Sequence, residues 1–362
     1  YKRQLLASVF AAAIPGLASL MLLLADSLMQ LLWQVLVPAS SSEYAVIYPA
    51  HPSWWVVVCS SMGLVLLLFQ HNGWLRVPGA LLLLPLFFSS AEWPGYGEYQ
   101  VDVLDVGQGL AVVIRTASHT LLYDAGFSSQ SGFDIGRQVV LPYLWHQGIA
   151  ELDQVVLSHD DRDHTGGFPA VVAAMPIHEL TVMPGSRFLR RSLHARACFA
   201  GQRWHWDGIE FLMMHPAQGA AGSENNRSCV LRVSGPGGRV LLTGDIEENA
   251  EHQLVANHGY QLTADILLAP HHGSTTSSSA DFIEHVRPLE VVYSAGFRNR
   301  YGFPRPEVTV RYELFDVRQH VTADTGMLRY HFSHEPGRYT RYSHRKDRSG
   351  FRFHVAKQQS PK

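Results

Sequence analysis

The sequence has little cysteine and little charge. Its three cysteines, Cys59, Cys198 and Cys229, are too few and too scattered for a disulfide framework or a cysteine-based zinc site. Charged residues are 17% of the 362 residues and apolar residues 46%, which excludes a disordered chain and is low in charge for a purely soluble one. The net charge of −2 gives no indication for or against a nucleic-acid partner. At roughly 150 residues per domain, this length predicts two or three units.

Charge is absent from the run Leu5–Leu24, whose length suits the hydrocarbon core of a bilayer. The run predicts a transmembrane helix with a kink at Pro15. A cleaved signal peptide is the alternative because Lys2 and Arg3 precede the run, but its apolar part is only about 7–15 residues long.

More apolar segments follow within the first hundred residues. Asp26, Gln30 and Gln34 recur every fourth position, which predicts a helix lying in the membrane interface. Trp54–Phe69 and Pro78–Phe88 are predicted as a second and a third span. We therefore expect residues 1–93 to be transmembrane and interfacial helices, in contact with membrane lipid, at the end of a longer membrane domain.

The few basic residues of this region predict an orientation. Lys2, Arg3 and Arg76 are expected in the cytoplasm by the positive-inside bias. With three spans, everything after Trp93 faces outward. The prediction is a multi-pass protein of the cytoplasmic (inner) membrane with its later domain on the outer, periplasmic face.

After Pro94 and Gly95, short β-branched runs alternate with helical stretches and polar turns, which is typical of a layered α/β domain. Several predicted strands end directly in polar residues, where rigid strand ends can bring catalytic side chains together. The predicted strands are Tyr99–Leu104, Leu110–Arg115, Thr120–Tyr123, Gln154–Leu157, Cys229–Val233, Arg239–Leu242, Asp265–Leu268 and Glu290–Tyr293.

A dense run of metal-ligand residue types follows the strand that ends at Leu157. His159, Asp161, Asp163 and His164 fall within six residues, between an apolar strand and a helix that begins after Gly166-Gly167. Imidazole and carboxylate bind divalent metals, and a tight turn can direct such side chains at two ions about 3.5–4 Å apart. A solvated charged loop is the simpler explanation, and the spacing argues against it.

These residues resemble the metallo-β-lactamase superfold, and several further motifs strengthen the resemblance. Leu242-Thr243-Gly244-Asp245 and Ala269-Pro270-His271-His272-Gly273 are similar to that fold's late aspartate and histidine motifs. Asp105-Val106-Gly107-Gln108-Gly109, Asp124-Ala125-Gly126 and Asn225-Asn226-Arg227-Ser228 resemble one branch, the C-terminal domain of the ComEC competence proteins. The likeness covers about residues 99–328. It implies an αββα sandwich, which we expect over residues 97–335, preceded by transmembrane α-helices.

The resemblance implies a binuclear metal site. One ion would be held by His159, Asp161 and Asp245, and the other by Asp163, His164, Asp245 and His272. The number of carboxylates favours Mn²⁺, with Zn²⁺ as the alternative. Asp163 and His271 are the candidate catalytic residues, and His271 would either donate a proton to the leaving 3′-oxygen or hold a phosphate oxygen. The alternative is that His271 is the ligand and His272 the outer residue.

Five further residues are candidates for supporting the site or lining it. Asp124 is either an acceptor for a ligating histidine or a turn former. Asn226 and Ser228 either line the substrate pocket or form a turn before the next strand. Asp105 and Gln108 belong to the glycine-rich turn, where Gln108 could face the metals. The sequence departs from the branch at Tyr301-Gly302-Phe303-Pro304, where many members have histidine in place of Phe303.

The chain from Arg287 onward is basic, with 12 Arg and 3 Lys against 7 acidic residues. Aromatic residues interleave with these arginines, a combination suited to phosphates and unpaired bases. Arg341, Arg345 and Arg348 are the candidate DNA-binding residues, and residues 336–362 are predicted as a basic C-terminal tail. A terminal strand pair with a soluble basic tail is the alternative explanation.

The leading hypothesis is a protein of DNA uptake in natural competence. By resemblance, the membrane part contributes to a channel for one DNA strand, and the binuclear-metal domain hydrolyses the phosphodiester bonds of the other strand. Its partners would be DNA, lipid and the remaining channel domain of the same longer protein. The alternatives are a membrane-tethered hydrolase of a small ester, lactone or thioester, because the superfold hosts many reactions, and a non-catalytic DNA-binding gate.

Overall fold

The computed structural model describes residues 15–40, 53–68, 73–88, 92–129, 131–190, 195–220 and 222–347. The chain divides into two compact units, Tyr1–Pro49 and Ala50–Lys362. The second unit contains a sandwich of two β-sheets.

The first unit contains one long helix, α1 (Pro15–Ser40). Its segment Ser19–Pro38 is 20 residues long and has a mean hydropathy of 1.8. Among the described residues, this helix is long and apolar enough to cross a membrane. The predicted span Leu5–Leu24 overlaps this helix in residues 15–24, and its first ten residues lie outside the described residues. The segment with Asp26, Gln30 and Gln34 is part of the same continuous helix rather than a separate one, and its location in the membrane interface stays a prediction. Gln30 Nε2 donates to Asp26 Oδ2 at 2.8 Å, and this internal bond lets two polar side chains remain inside one continuous helix. The kink expected at Pro15 concerns the junction with residues 1–14, which lie outside the described residues.

Two shorter apolar helices begin the second unit. They are α2 (Trp54–Leu68) and α3 (Arg76–Leu81), the latter followed by a helical turn at Leu84–Phe88. They pack at a pair of glycines, where a Cβ on Gly63 would lie only 2.7 Å from the carbonyl oxygen of Gly79. Both are shorter than the roughly 20 residues that a spanning helix needs. The second and third spans therefore stay predictions.

The sandwich consists of two mixed sheets. One has eight strands in the order β15-β14-β1-β2-β3-β4-β5-β6, and the other has seven in the order β13-β12-β11-β10-β9-β8-β7. The strands are β1 (Tyr99–Val103), β2 (Val112–Arg115), β3 (Thr120–Tyr123), β4 (Leu152–Leu157), β5 (Ile177–Val182), β6 (Ala195–Ala197), β7 (Arg203–Trp206), β8 (Ile209–His215), β9 (Val230–Gly235), β10 (Gly238–Leu242), β11 (Ile266–Leu268), β12 (Glu290–Tyr293), β13 (Arg318–Val321), β14 (Leu328–Phe332) and β15 (Tyr339–Ser343).

Helices cover the outer faces of both sheets. One apolar core fills the space between the sheets. Each sheet has a second core on its outer face, between its strands and the helices that cover them. Central strands are therefore buried on both faces and contain short apolar runs, which is why the sequence predicted β3 and β12 with their observed bounds. The helices of this unit after α3 are α4 (Leu141–His146), α5 (Arg162–Thr165), α6 (Phe168–Ala174), α7 (Glu248–His258), α8 (Ala280–Val286), α9 (Pro306–Leu314), α10 (Thr322–Thr325) and α11 (His344–Asp347).

The sandwich extends past its predicted end at residue 335. β15 pairs antiparallel with β14 from Leu328 opposite Ser343 to Phe332 opposite Tyr339. The first half of the predicted basic tail is thus an edge strand followed by α11. The terminal strand pair that the sequence left open as an explanation of this segment is therefore present as β14 and β15.

One disulfide joins the two halves of the sandwich. Cys198, just after β6 of one sheet, is bonded to Cys229, just before β9 of the other. The sequence analysis judged the cysteines too few and too scattered for a disulfide framework and did not reveal this bond, because residues 31 positions apart become neighbours only through tertiary packing.

Candidate metal centre

The predicted ligands lie at one edge of the sandwich, where strands of both sheets end. Asp124 follows β3 and His159 follows β4, and these strands run parallel in one sheet. Asp245 and His272 follow β10 and β11, which run parallel in the other sheet. Carboxyl ends of parallel neighbours share an edge, so residues far apart in sequence converge there.

Four of the predicted ligands form a compact cluster. One ligand atom from each of Asp163, His164, Asp245 and His272 lies within 4.8 Å of all the others. His164 Nε2 is 3.1 Å from Asp245 Oδ1, and His272 Nε2 is 3.4 Å from Asp245 Oδ2. His272 Nε2 is also 3.6 Å from Asp163 Oδ2. These four groups together can hold a divalent cation.

The two remaining predicted ligands lie beside this cluster. His159 Nε2 is 3.5 Å from Asp161 Oδ2 and 3.9 Å from Asp245 Oδ2. Asp245 therefore faces both groups, as a carboxylate that bridges two ions would. Gly244 makes this placement possible, since its φ of +56° suits glycine and a Cβ there would lie 2.9 Å from the Cβ of Ser158.

A buried pair, Asp124 and Ser158, determines which nitrogen of each histidine faces the centre. Asp124 Oδ2 accepts hydrogen bonds from His164 Nδ1 and from the Ser158 hydroxyl, both at 2.7 Å. Because that hydroxyl has only one proton, its contact of 2.9 Å with His159 Nδ1 requires the histidine to donate. Both imidazoles thus direct Nε2 at the cluster.

The residues present fit a metal. His159 Nε2 is buried and forms no hydrogen bond with any described residue. An unpaired buried polar atom is costly, and a cation between it and Asp245 would offset that cost. The donor set of imidazoles and carboxylates suits Mn²⁺ or Zn²⁺.

The charges of the cluster oppose the effect of burial. Burial by itself lowers the pKa of His272, but Asp245 and Asp163 raise it to about 9. Burial raises the pKa of Asp163, while a bond from His272 and the charge of His164 bring it down to about 2. The same balance raises the pKa of His164 and lowers that of Asp245. The carboxylates therefore attract positive charge, either protons or a metal cation.

The adjacent histidines His271 and His272 occupy different positions. Both have left-handed backbone, with φ of 48° and 55°. The side chain of His272 is buried in the cluster, whereas that of His271 is 23% exposed, with Nε2 3.8 Å from Asp245 Oδ2 and Nδ1 3.2 Å from Thr276 Oγ1. Of the two alternatives, this arrangement favours His272 as the ligand and His271 as the outer residue.

Phe303 packs against this histidine pair. Its ring centroid lies 5.9 Å from that of His271 and 6.4 Å from that of His272. The position at which the branch often has histidine is thus at the edge of the centre, occupied here by an apolar ring.

Asn226 and Ser228 support the segment that contains Asp245. Asn226 Oδ1 accepts from the backbone nitrogens of Glu247 and Ala250 at 3.1 and 3.3 Å, at the beginning of α7. Ser228 Oγ accepts from the backbone nitrogen of Asp245 at 3.4 Å. A role in lining a substrate pocket stays a prediction for both.

Two of the three candidate arginines are paired with carboxylates. Asp105 accepts from Arg345 Nη2 at 2.7 Å, and Arg341 Nη1 donates to Glu290 Oε2 at 2.8 Å. A phosphate would have to compete with these carboxylates for the guanidinium groups of Arg345 and Arg341. Gln108 Oε1 is buried and forms no hydrogen bond with a described residue, and Arg348 lies outside the described residues. DNA binding by these arginines stays a prediction.

Sequence reasoning gave no role to two residues that contact the site. Ser158 connects Asp124 to His159, and Glu247 Oε1 lies 3.9 Å from His271 Nδ1. A hydroxyl directly before the first ligand was a signal for Ser158. Nothing in the spacing marked Glu247.

Comparison with known proteins identifies relatives. Residues 104–296 match the family described as the Metallo-beta-lactamase superfamily. Competence protein ComA of Neisseria gonorrhoeae is 37% identical over 293 residues, which cover 80% of this chain and 40% of that protein. Recombination protein 2 of Haemophilus influenzae is 37% identical over 234 residues, or 65% of this chain and 29% of that protein. Uncharacterized protein YcaI of Escherichia coli is 34% identical over 289 residues, which cover 77% of this chain and 36% of that protein.

The superfamily match covers most of the candidate site but not all of it. The superfamily match includes Asp105 and every predicted ligand through His272, and it ends before Phe303. The aligned part of the chain corresponds to less than half of the length of each of the three relatives.

Proposed function

Because the chain belongs to the metallo-beta-lactamase superfamily and is related to ComEC-type competence proteins, we propose that its sandwich hydrolyses phosphodiester bonds of DNA during DNA uptake. The strand degraded would be the one that is not transported. The membrane part would contribute to a channel for the other strand, together with the remaining domain of a longer protein.

The observation that carries this proposal is the cluster of Asp163, His164, Asp245 and His272, with His159 and Asp161 beside it. His159, Asp161 and Asp245 would hold one divalent ion; Asp163, His164, Asp245 and His272 would hold the other. When bound, two such ions supply charge neutralisation for a phosphodiester and activation of water.

The chain's own residues would contribute orientation and a proton. Asp124 and Ser158 hold the imidazoles of His164 and His159 with Nε2 toward the centre. His271 is partly exposed at the rim and is held by Thr276, where it could give a proton to the leaving 3′-oxygen.

We propose that the protein lies in the cytoplasmic membrane with the sandwich on the outer face. The segment Ser19–Pro38 is suited to span the membrane. The disulfide between Cys198 and Cys229 is typical of proteins in oxidising compartments and supports an outward location of the sandwich.

The test is DNA cleavage by the 362-residue chain in detergent, with end-labelled single-stranded DNA and Mn²⁺, Zn²⁺ or chelator. Cleavage should require metal and fall at least about 100-fold in Asp163→Asn, while DNA binding persists, because a metal ligand is lost and no cation is removed. Asp281→Asn, which changes an exposed side chain of α8, is the matched control.

Two results would overturn the nuclease proposal. Hydrolysis of an ester substrate without DNA cleavage in either metal would support the small-ester hydrolase. Binding of DNA without cleavage by the wild type, together with cleavage by Phe303→His, would support the gate.

A further inference from the structure

The loop of residues 296–305, after β12, alternates aromatic rings and arginines beside the metal centre. Each ring lies next to a guanidinium carbon: Arg298 is 5.2 Å from the ring centroid of Phe297, Arg300 is 4.6 Å from that of Tyr301, and Arg305 is 5.9 Å from that of Phe303. Three ring and cation pairs therefore occur within ten residues.

The cations of this loop are available to a ligand. Arg298, Arg300 and Arg305 are exposed, and none forms an ion pair with a carboxylate among the described residues. Arg341 and Arg345, by contrast, are paired with Glu290 and Asp105. The loop therefore contains three exposed arginines without a carboxylate partner among the described residues, whereas the arginines of β15 and α11 are paired.

The rings of the loop form a path away from the centre. Phe303 packs on His272, and Tyr301 stacks on Phe303 at a centroid distance of 5.4 Å and an angle of 17°. Phe297 is 64% exposed and Tyr301 39% exposed. Exposed aromatic rings in this number, next to a metal centre, are suited to stacking on flat apolar ligand groups.

The loop is held in one conformation by Asn299. Its Nδ2 donates to the carbonyl oxygens of Gly296 and Phe303 at 3.0 and 2.7 Å, and its Oδ1 accepts from the nitrogen of Phe303 at 2.9 Å. Arg305 N donates to the carbonyl oxygen of Gly273, next to His272, at 2.9 Å. The loop is therefore fixed to the metal-ligand turn, and a ligand would not have to order it.

We propose that the loop of residues 296–305 binds single-stranded DNA and leads it to the metal centre. Arginines contact phosphates and rings stack on bases, and only an unpaired strand exposes its base faces. The proposal deepens the proposed function and rests on it, because it specifies the strand state that the centre receives.

The test is fluorescence anisotropy of the 362-residue chain in detergent with a labelled single strand, its duplex, and the same strand with abasic sites. Phe297→Ala/Tyr301→Ala should weaken binding of the single strand about ten-fold or more and leave the duplex unchanged. The double variant Phe297→Trp/Tyr301→Trp, which keeps aromatic rings at both positions, should bind the single strand as the wild type does. The abasic strand should bind wild type and the alanine variant equally.

The arginines are tested by salt dependence. Arg298→Ala/Arg300→Ala should reduce the slope of log affinity against log salt by about 1.4, at roughly 0.7 per phosphate contact of a single strand. The control removes two exposed arginines that lie near carboxylates outside the basic C-terminal segment, Arg196 near Glu179 and Arg203 near Glu210. It should leave the slope unchanged.

Equal losses for single strand and duplex in the alanine variant, or an unchanged slope in the arginine variant, would overturn the loop assignment even if the wild type cleaves DNA. Loop-dependent binding without any metal-dependent cleavage would instead refute the nuclease proposal and leave the loop assignment in place.

Discussion

Asp124 shows how much depends on one carboxylate that contacts no predicted substrate. It accepts hydrogen bonds from the backbone nitrogen of Ser158, the Ser158 hydroxyl and His164 Nδ1, each at 2.7 Å. An ionised carboxylate only accepts, so it fixes a donor at every one of these contacts. The protonation pattern of two predicted ligands follows from this single side chain.

We expect Asp124→Asn to lower metal affinity about 10- to 100-fold, as loss of such supporting contacts does at metal sites. The amide can donate to His164 Nδ1 and so place the proton on Nε2, where it blocks a metal. Titration calorimetry with Mn²⁺ and Zn²⁺ measures the effect, with Asp281→Asn as control. Wild-type affinity in Asp124→Asn would contradict the assigned orientation of His164.

At the scale of elements, Glu290 on β12 links the two sheets at one side of the sandwich. Its carboxylate contacts His320 of β13 at 2.9 Å, Arg341 of β15 at 2.8 Å and Tyr330 of β14 at 3.2 Å. β13 belongs to the sheet of β12, whereas β14 and β15 belong to the other sheet. Burial raises the pKa of Glu290, but His320 and Arg341 outweigh burial and bring it to about 2.

This pKa predicts a pH-dependent stability. Because the folded-state pKa lies below the ordinary value of 4.5, the contribution of Glu290 is full above about pH 5 and is lost as the pH falls toward 2. Glu290→Gln should lower the free energy of unfolding by about 2 kcal/mol at pH 7, and the difference from wild type should shrink between pH 5 and 2.

Urea unfolding followed by tryptophan fluorescence at pH 7, 5 and 3 measures this difference. Glu179→Gln, which removes an exposed partner of Arg196, should change stability by less than about 0.5 kcal/mol. A difference for Glu290→Gln that stays constant down to pH 3 would show that its ionisation does not link the sheets.

For the whole molecule, the disulfide reports the compartment of the sandwich. If the sandwich lies outside the cytoplasm, Cys198 and Cys229 should resist a thiol-reactive polymer in denatured, unreduced cell extracts and react after reduction. Cys59, which is free, should react in both samples and serves as the internal control. Labelling of all three cysteines without reduction would refute the outward location.

The layered fold and most of the candidate metal-binding cluster could be predicted from the sequence. β3 was predicted with its observed bounds, because strands buried on both faces leave an uninterrupted apolar run. His159 to His164 were recognised because a turn concentrates its ligands within a few residues. Asp245 and His272 were found through resemblance, since nothing local links them to that turn.

Only the tertiary structure decided which groups meet across the sandwich. It brought His272 rather than His271 into the cluster, paired Cys198 with Cys229, and placed β15 at a sheet edge. It also paired Arg341 and Arg345 with carboxylates while leaving Arg298 and Arg300 without any among the described residues. Local sequence specifies strands and turns through periodicity, but partners more than a few residues apart are chosen by packing, which no local pattern records.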